Sequence, residues 1–239
     1  MRLLVYGMQS SGATAFTLFL AQQSGCLGLV DILNNYAAPR LDYGGDVVAK
    51  VVVTTAYPLP VHQERFRPDR TILFLRDPRS NFESLKRKHY RNHSGLIEEK
   101  FALIDRIFAE RDQFDAVIHY EDFIARKPQI LETVNALGWA IDESCYAFRR
   151  NHDDLAAALW NAVPDLFERF EFSYGNVQLA EVTSNIRVRN FSAEVEESVS
   201  SLSPRLLRHY QQRDRDSLPG SNAQDATPAG YGHEQHPAL

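Results

Sequence analysis

The chain has 239 residues, of which 44% are hydrophobic, and it balances 26 Lys and Arg against 31 Asp and Glu for a formal charge of -5. That length and apolar content suit a single sizeable α/β domain, and the net negative charge excludes a general attraction to nucleic acid or an anionic membrane, so any anion site must be local. Two cysteines, Cys26 and Cys145, exclude a disulfide framework or a Cys/His zinc spacing, so no metal is expected and a reducing, cytoplasmic location is.

At the N-terminus, Leu3 to Tyr6 is a short apolar run closed by Gly7, the pattern of a buried parallel strand rather than of a targeting leader. Gly7-Met8-Gln9-Ser10-Ser11-Gly12-Ala13-Thr14 then carries the glycine spacing of a phosphate-binding loop, with Ala13 where a nucleoside triphosphatase has lysine. Backbone N–H groups of Ser11 to Thr14 at a helix start can hold an anion without that lysine. The alternative is an ordinary strand-to-helix turn with a Ser or Thr cap. Phe16, Phe19 and Leu20 recur at helical spacing and predict a helix packed back on the strand.

Further strands are predicted at Leu27 to Val30, Val47 to Thr54, Thr71 to Leu75 and Ala116 to Tyr120. Lys50 interrupts the apolar run of its strand: covered on both faces, its ammonium needs a partner, whereas on an edge strand it faces water. Ile97, Phe101, Ile104 and Phe108 stripe one helix, and Pro128 starts another through Ile130 to Leu137. Strands alternating with helices predict a three-layer α/β fold with a central, mostly parallel sheet of about five strands and ligand-binding loops at its carboxyl edge. No run approaches the roughly 20 apolar residues of a membrane span.

Beyond Leu155 the pattern is helical, with Ser203-Pro204 separating helices around Val195 to Leu202 and Leu206 to Tyr210. Residues 1–210 are read as one domain, and the polar, Gly- and Pro-bearing segment 211–239 as a disordered tail. Trp139, Phe148 and Trp160 are expected in the core.

The strand ending at Leu75 runs into Arg76-Asp77-Pro78-Arg79, where Asp-Pro suits helix N-cap and N1 and sets Arg76 at the carboxyl edge. Ser84 follows Arg76 by eight residues, in the second helical turn, so a guanidinium fork and a hydroxyl can converge on one phosphate. From Arg65 to Arg91 there are nine Lys or Arg against three acidic residues. Of these, Lys86, Arg87 and Lys88 read as a solvated face.

Together, QSSGAT after the first strand, LFLRDPRSNFES after a later one, and VIHYEDF followed by Pro128 and Leu137-Gly138-Trp139 resemble the sulfotransferases that use 3'-phosphoadenosine 5'-phosphosulfate. The resemblance covers residues 2–140 and rests on the order of the motifs. It implies that Ser10, Ser11, Gly12, Ala13 and Thr14 grip the 5'-phosphosulfate, that Arg76 and Ser84 bind the 3'-phosphate, and that Tyr120 lies at the nucleotide. A basic segment of the C-terminal half, with Arg187 and Arg189, would close over it. Read alone, VIHYED also matches a Walker B strand.

The chain departs from the family at Ser10, where a basic residue usually stabilises the leaving oxygen, and at Ala13, where threonine is common. Lys50 is the expected substitute, since family members often carry lysine in the corresponding strand. The histidine that some members place after this strand is absent from Thr54-Thr55-Ala56-Tyr57-Pro58. Asp31, where several bacterial relatives have a carboxylate, is the expected general base; an N-cap role for Asp31 is the alternative, and His62 is a second candidate. The acceptor hydroxyl or amine is left open among saccharide, lipid, peptide and phenol. Two other readings are a nucleotide-binding module without turnover and a P-loop kinase or nucleoside triphosphatase.

Overall fold

In the computed structural model, which describes residues 1–30, 37–54, 57–93, 95–170, 181–182 and 190–216, the apolar runs become strands and the striped segments helices. In chain order these are β1 (Arg2–Gly7), α1 (Ala13–Leu20), β2 (Leu27–Leu29), β3 (Val47–Val52), α2 (Leu59–Phe66), β4 (Arg70–Leu75), α3 (Pro78–Lys86) and α4 (Ile97–Ala109). There follow β5 (Ala116–His119), α5 (Tyr120–Ile124), α6 (Pro128–Ala136), α7 (His152–Ala162), α8 (Asp165–Arg169), α9 (Ala193–Leu202) and α10 (Pro204–Asp216). Asp31, Arg187 and Arg189 lie outside the described residues.

The five strands form one sheet in the order β2-β3-β1-β4-β5, and every pairing is parallel. Successive side chains alternate between two cores, as the period of a strand requires. Leu4, Tyr6, Leu73 and Leu75 face a layer that includes Leu59, Phe82, Phe101, Ile104, Val199 and Leu206. Leu3, Val5, Ile72 and Phe74 face the opposite layer, where Phe16 stacks on Phe74 at 4.9 Å and meets Phe123 edge-on at 5.2 Å. The result is the three-layer α/β fold. Helix α1 after β1 packs on one face and α3 after the adjacent β4 on the other, so the chain diverges there and opens a crevice at the carboxyl edge.

Several boundaries differ from the sequence reading. Strand β5 ends at His119, and Tyr120 opens α5, whose first turn carries Glu121 and Asp122 and so complements the helix dipole. Helix α10 runs through Gln211 to Asp216, past the expected start of the tail. Arg213 and Asp214 anchor that last stretch by ion pairs to Asp122 and Arg79 at 2.7 and 2.9 Å. Residues 217–239 lie outside the described residues. Trp139 and Phe148 are in the core, but Trp160 is 54% exposed, at the end of α7 with its ring against Phe167. Lys86, Arg87 and Lys88 are exposed as expected. Among the described residues, no helix is long and apolar enough to cross a membrane.

Candidate nucleotide site at the carboxyl edge

The loop between β1 and α1 is shaped by its small residues. Gly7 pairs with Val52 on one side and Phe74 on the other, and a Cβ there would lie 3.1 Å from both Ala13 Cβ and the Phe74 carbonyl oxygen. Ser10 (φ 60°) and Gly12 (φ 93°) adopt positive φ on either side of Ser11, an alternation that turns successive backbone N–H groups into a concave anion nest. Helix α1 has no acidic residue in its first turn and no side-chain N-cap hydrogen bond. The Ser11 hydroxyl instead donates to the Met8 carbonyl at 2.7 Å and accepts only a long 3.4 Å contact from the Ala13 N–H. The first turn of the helix therefore offers an anion no competing carboxylate of its own. Ser10 Oγ is buried and has no hydrogen-bond partner among the described residues.

Arg76 leaves the end of β4 and donates from Nη1 to the Ser10 carbonyl at 2.8 Å, while its guanidinium lies over the Tyr120 ring at 4.5 Å. The same ring abuts the loop, since a Cβ added to Gly12 would sit 2.5 and 2.6 Å from two Tyr120 ring carbons. Gly12→Ala therefore meets both a positive φ and a ring braced by Arg76. It is expected to destabilise the fold by about 1–3 kcal/mol and to weaken phosphate binding, as read by urea unfolding and phosphate titration.

Lys50 lies on the internal strand β3, which excludes the water-facing edge position, and its Nζ donates to Thr14 Oγ1 at 3.1 Å. The structure thus brings together Ser10 to Thr14, Lys50, Arg76 and Tyr120. Ser84 is half-buried in the second turn of α3, and Arg76 donates to the Ser10 carbonyl of the loop.

Further residues brace the site without having been singled out in the sequence. Asn81 Nδ2 donates to the Gln9 carbonyl at 2.8 Å, and Lys100 Nζ donates to Gln9 Oε1 at 2.6 Å. Lys100 interrupts the Ile97, Phe101, Ile104 stripe much as Lys50 interrupts its strand, and that interruption is the signal that could have found it. Arg79 forms two hydrogen bonds to the Asp77 carboxylate, at 3.0 and 2.6 Å, and bonds Asp214 of α10 at 2.9 Å. Glu121 Oε1 accepts from the Asp77 N–H at 2.9 Å, and burial raises its carboxyl above the ordinary range. For Asp122, burial opposes ionisation, but hydrogen bonds from Lys127 and Arg213 outweigh it and hold the carboxyl low.

Three histidines give the fold an acid limit. Burial pushes His62 down to about 4 and, with Arg213 nearby, His119 to about 3, and it also lowers His209. Below the ordinary histidine value the unfolded chain binds protons that the folded one refuses, so stability is lost as pH falls from about 6.5 toward 4. The slope approaches about 1.4 kcal/mol per pH unit for each of His62 and His119, and His209 adds in the same direction. Thermal melts at pH 7.5 and 5 are expected to differ accordingly, and His62→Phe, which keeps a ring beside Tyr6 and Tyr57, should reduce the difference.

No protein-family model matches the chain, and no curated protein matches it. Among solved structures, the crystal structure of mouse sulfotransferase SULT7A1 complexed with PAP is similar at 12% identity, covering 92% of this chain and 86% of that one, with a TM-score of 0.41. Among the described residues, no group of three or more His, Cys, Asp or Glu is placed to hold a metal ion.

Proposed function

We propose that this chain is a sulfotransferase acting on a hydroxyl or amine acceptor, with 3'-phosphoadenosine 5'-phosphosulfate as co-substrate, in a cytoplasmic setting. The observation that carries the reading is the convergence of the anion nest, Arg76, Tyr120 and Lys50 at one crevice of the sheet. These residues fit such a nucleotide: a helix start free of acid, a buried Ser10 hydroxyl without a partner, and cations on both flanks.

When bound, the nucleotide supplies the sulfuryl group. The amides of Ser11 to Thr14 hold its 5' end, while Arg76 and Ser84 take the 3'-phosphate and Arg187 contributes from the C-terminal half. Tyr120, in contact with both Gly12 and Arg76, orients the guanidinium. Lys50, reaching Thr14, provides the positive charge that Ser10 does not. Asp31 takes the acceptor's proton. His62 is neutral near pH 7 but only 2% exposed, which closes it to an acceptor.

The replacement of the family's basic residue by Ser10 favours a second reading, a binding module without turnover. Release of 3'-phosphoadenosine 5'-phosphate together with a sulfated acceptor separates the two. A kinase or nucleoside triphosphatase is disfavoured because Ala13, beneath Gly7, stands in the lysine position. In thermal-shift assays, 3'-phosphoadenosine 5'-phosphate at a hundred times its dissociation constant is expected to stabilise the protein by about 2.7 kcal/mol. A preference for ADP or Mg-ATP would overturn the reading. Arg76→Ala should weaken the 3'-phosphorylated nucleotide by about tenfold or more and barely change ADP, measured by calorimetry.

A further inference from the structure

Helix α4 buries a lysine among its core residues: Lys100 is 0% exposed. An ammonium has three protons to donate, and here each finds an oxygen, Gln9 Oε1 and the His93 carbonyl at 2.6 Å and the Arg91 carbonyl at 3.0 Å. All three acceptors are neutral, and the Glu99 carboxylate acts on the ammonium only through space. The neighbouring Glu99 turns instead to the Leu96 N–H, at 3.1 Å. Burial lowers the amine to about 8, which leaves it charged at neutral pH.

Gln9 is the residue just before Ser10, and it is held at both ends, its carbonyl by Asn81 and its side chain by Lys100. A cation therefore lies beneath the phosphate loop, in a low-dielectric interior where a charge acts more strongly than at the surface.

We propose that Lys100 is a positioning residue of the anion site: through Gln9 it holds the phosphate loop in its anion-receiving form, with its positive charge beneath the grip for the 5'-phosphate. The proposal rests on the loop being the grip for the 5' end of the nucleotide. A purely structural lysine, one that merely satisfies the Arg91 and His93 carbonyls, would change folding stability without distinguishing one phosphate from another.

The test compares the full chain with Lys100→Met, Gln9→Met and the double variant, measuring calorimetric affinity for 3'-phosphoadenosine 5'-phosphate and for adenosine 3'-monophosphate. Lys100→Met is expected to weaken the bisphosphate about tenfold and to leave the 3'-monophosphate within about twofold. Gln9→Met should show a smaller loss of the same kind, and the double variant should be no worse than Lys100→Met, the mark of one shared interaction. Equal losses for both nucleotides, no loss, or additive losses would overturn the proposal. If Lys100→Met does not fold, Gln9→Met alone decides, and an unchanged bisphosphate affinity there overturns it. A wild-type protein that binds neither 3'-phosphorylated nucleotide overturns the functional reading itself, and the role of Lys100 with it.

Discussion

Lys50→Met is expected to lower sulfuryl transfer about a hundredfold or more while leaving the affinity for 3'-phosphoadenosine 5'-phosphate within a few-fold. The ammonium is half-buried on an internal strand and donates to Thr14 in the first turn of α1, beside the place where the proposed reaction would develop charge as the sulfuryl group departs. A fixed cation there acts on the transition state more than on the bound nucleotide, and removal of one such group typically costs on the order of a hundredfold in rate. Methionine keeps the stem and removes only the charge. The measurement is release of 3'-phosphoadenosine 5'-phosphate from the sulfated nucleotide across a panel of acceptors. Unchanged turnover would remove Lys50 from the mechanism, and parallel losses in binding and turnover would make it a binding residue only.

Arg79→Met is expected to have the largest effect on stability, about 3 kcal/mol, read as a lower urea midpoint with an unchanged slope. Arg79 joins the N-cap of α3 to the C-terminal helices, through Asp77, Glu196 at 3.5 Å and Asp214 at 2.9 Å, with Phe191 against its guanidinium at 4.8 Å. Asp77 is buried, and losing Arg79 leaves its carboxylate without that ion pair. Asp214 and Glu196 reach solvent and rehydrate, which keeps the cost at the lower end of what breaking a buried pair entails. Asp214→Asn, which leaves the Asp77 pair intact, should cost under about 1 kcal/mol. Similar losses for the two variants would place the stabilising contact at α10 instead.

Much of the architecture was legible because strand and helix periods are local. The runs at Leu3, Val47, Thr71 and Ala116 each became a parallel strand, and Asp77-Pro78 opened α3, with the Asp77 side chain accepting from the Arg79 N–H. Lys50 was legible for the same reason, since one polar residue in an apolar run needs an explanation. Tertiary pairings were harder to read. Lys100 interrupts a helical stripe, but its acceptor Gln9 lies 91 residues back and is brought near only by the fold. The contact between Gly12 and Tyr120 joins residues from different crossovers, and no spacing announces it. The RDRD end of α10 read as tail because its anchors, Arg79 and Asp122, lie far back along the chain. Ser84 kept its helical position, but spacing alone does not say whether its hydroxyl meets Arg76.

The same helix sets an order of events during synthesis. Tyr210 meets His119 at 2.9 Å, Arg213 meets Asp122 and Asp214 meets Arg79, so α10 grips the segments that follow both β4 and β5. The sheet itself is complete once residue 119 has emerged. A nascent chain can therefore assemble its strands and wait, with the walls of the crevice unbraced, until α10 leaves the ribosome. Bracing of the crevice walls is thus a late event, set by when residues 204–216 emerge rather than by when the sheet forms.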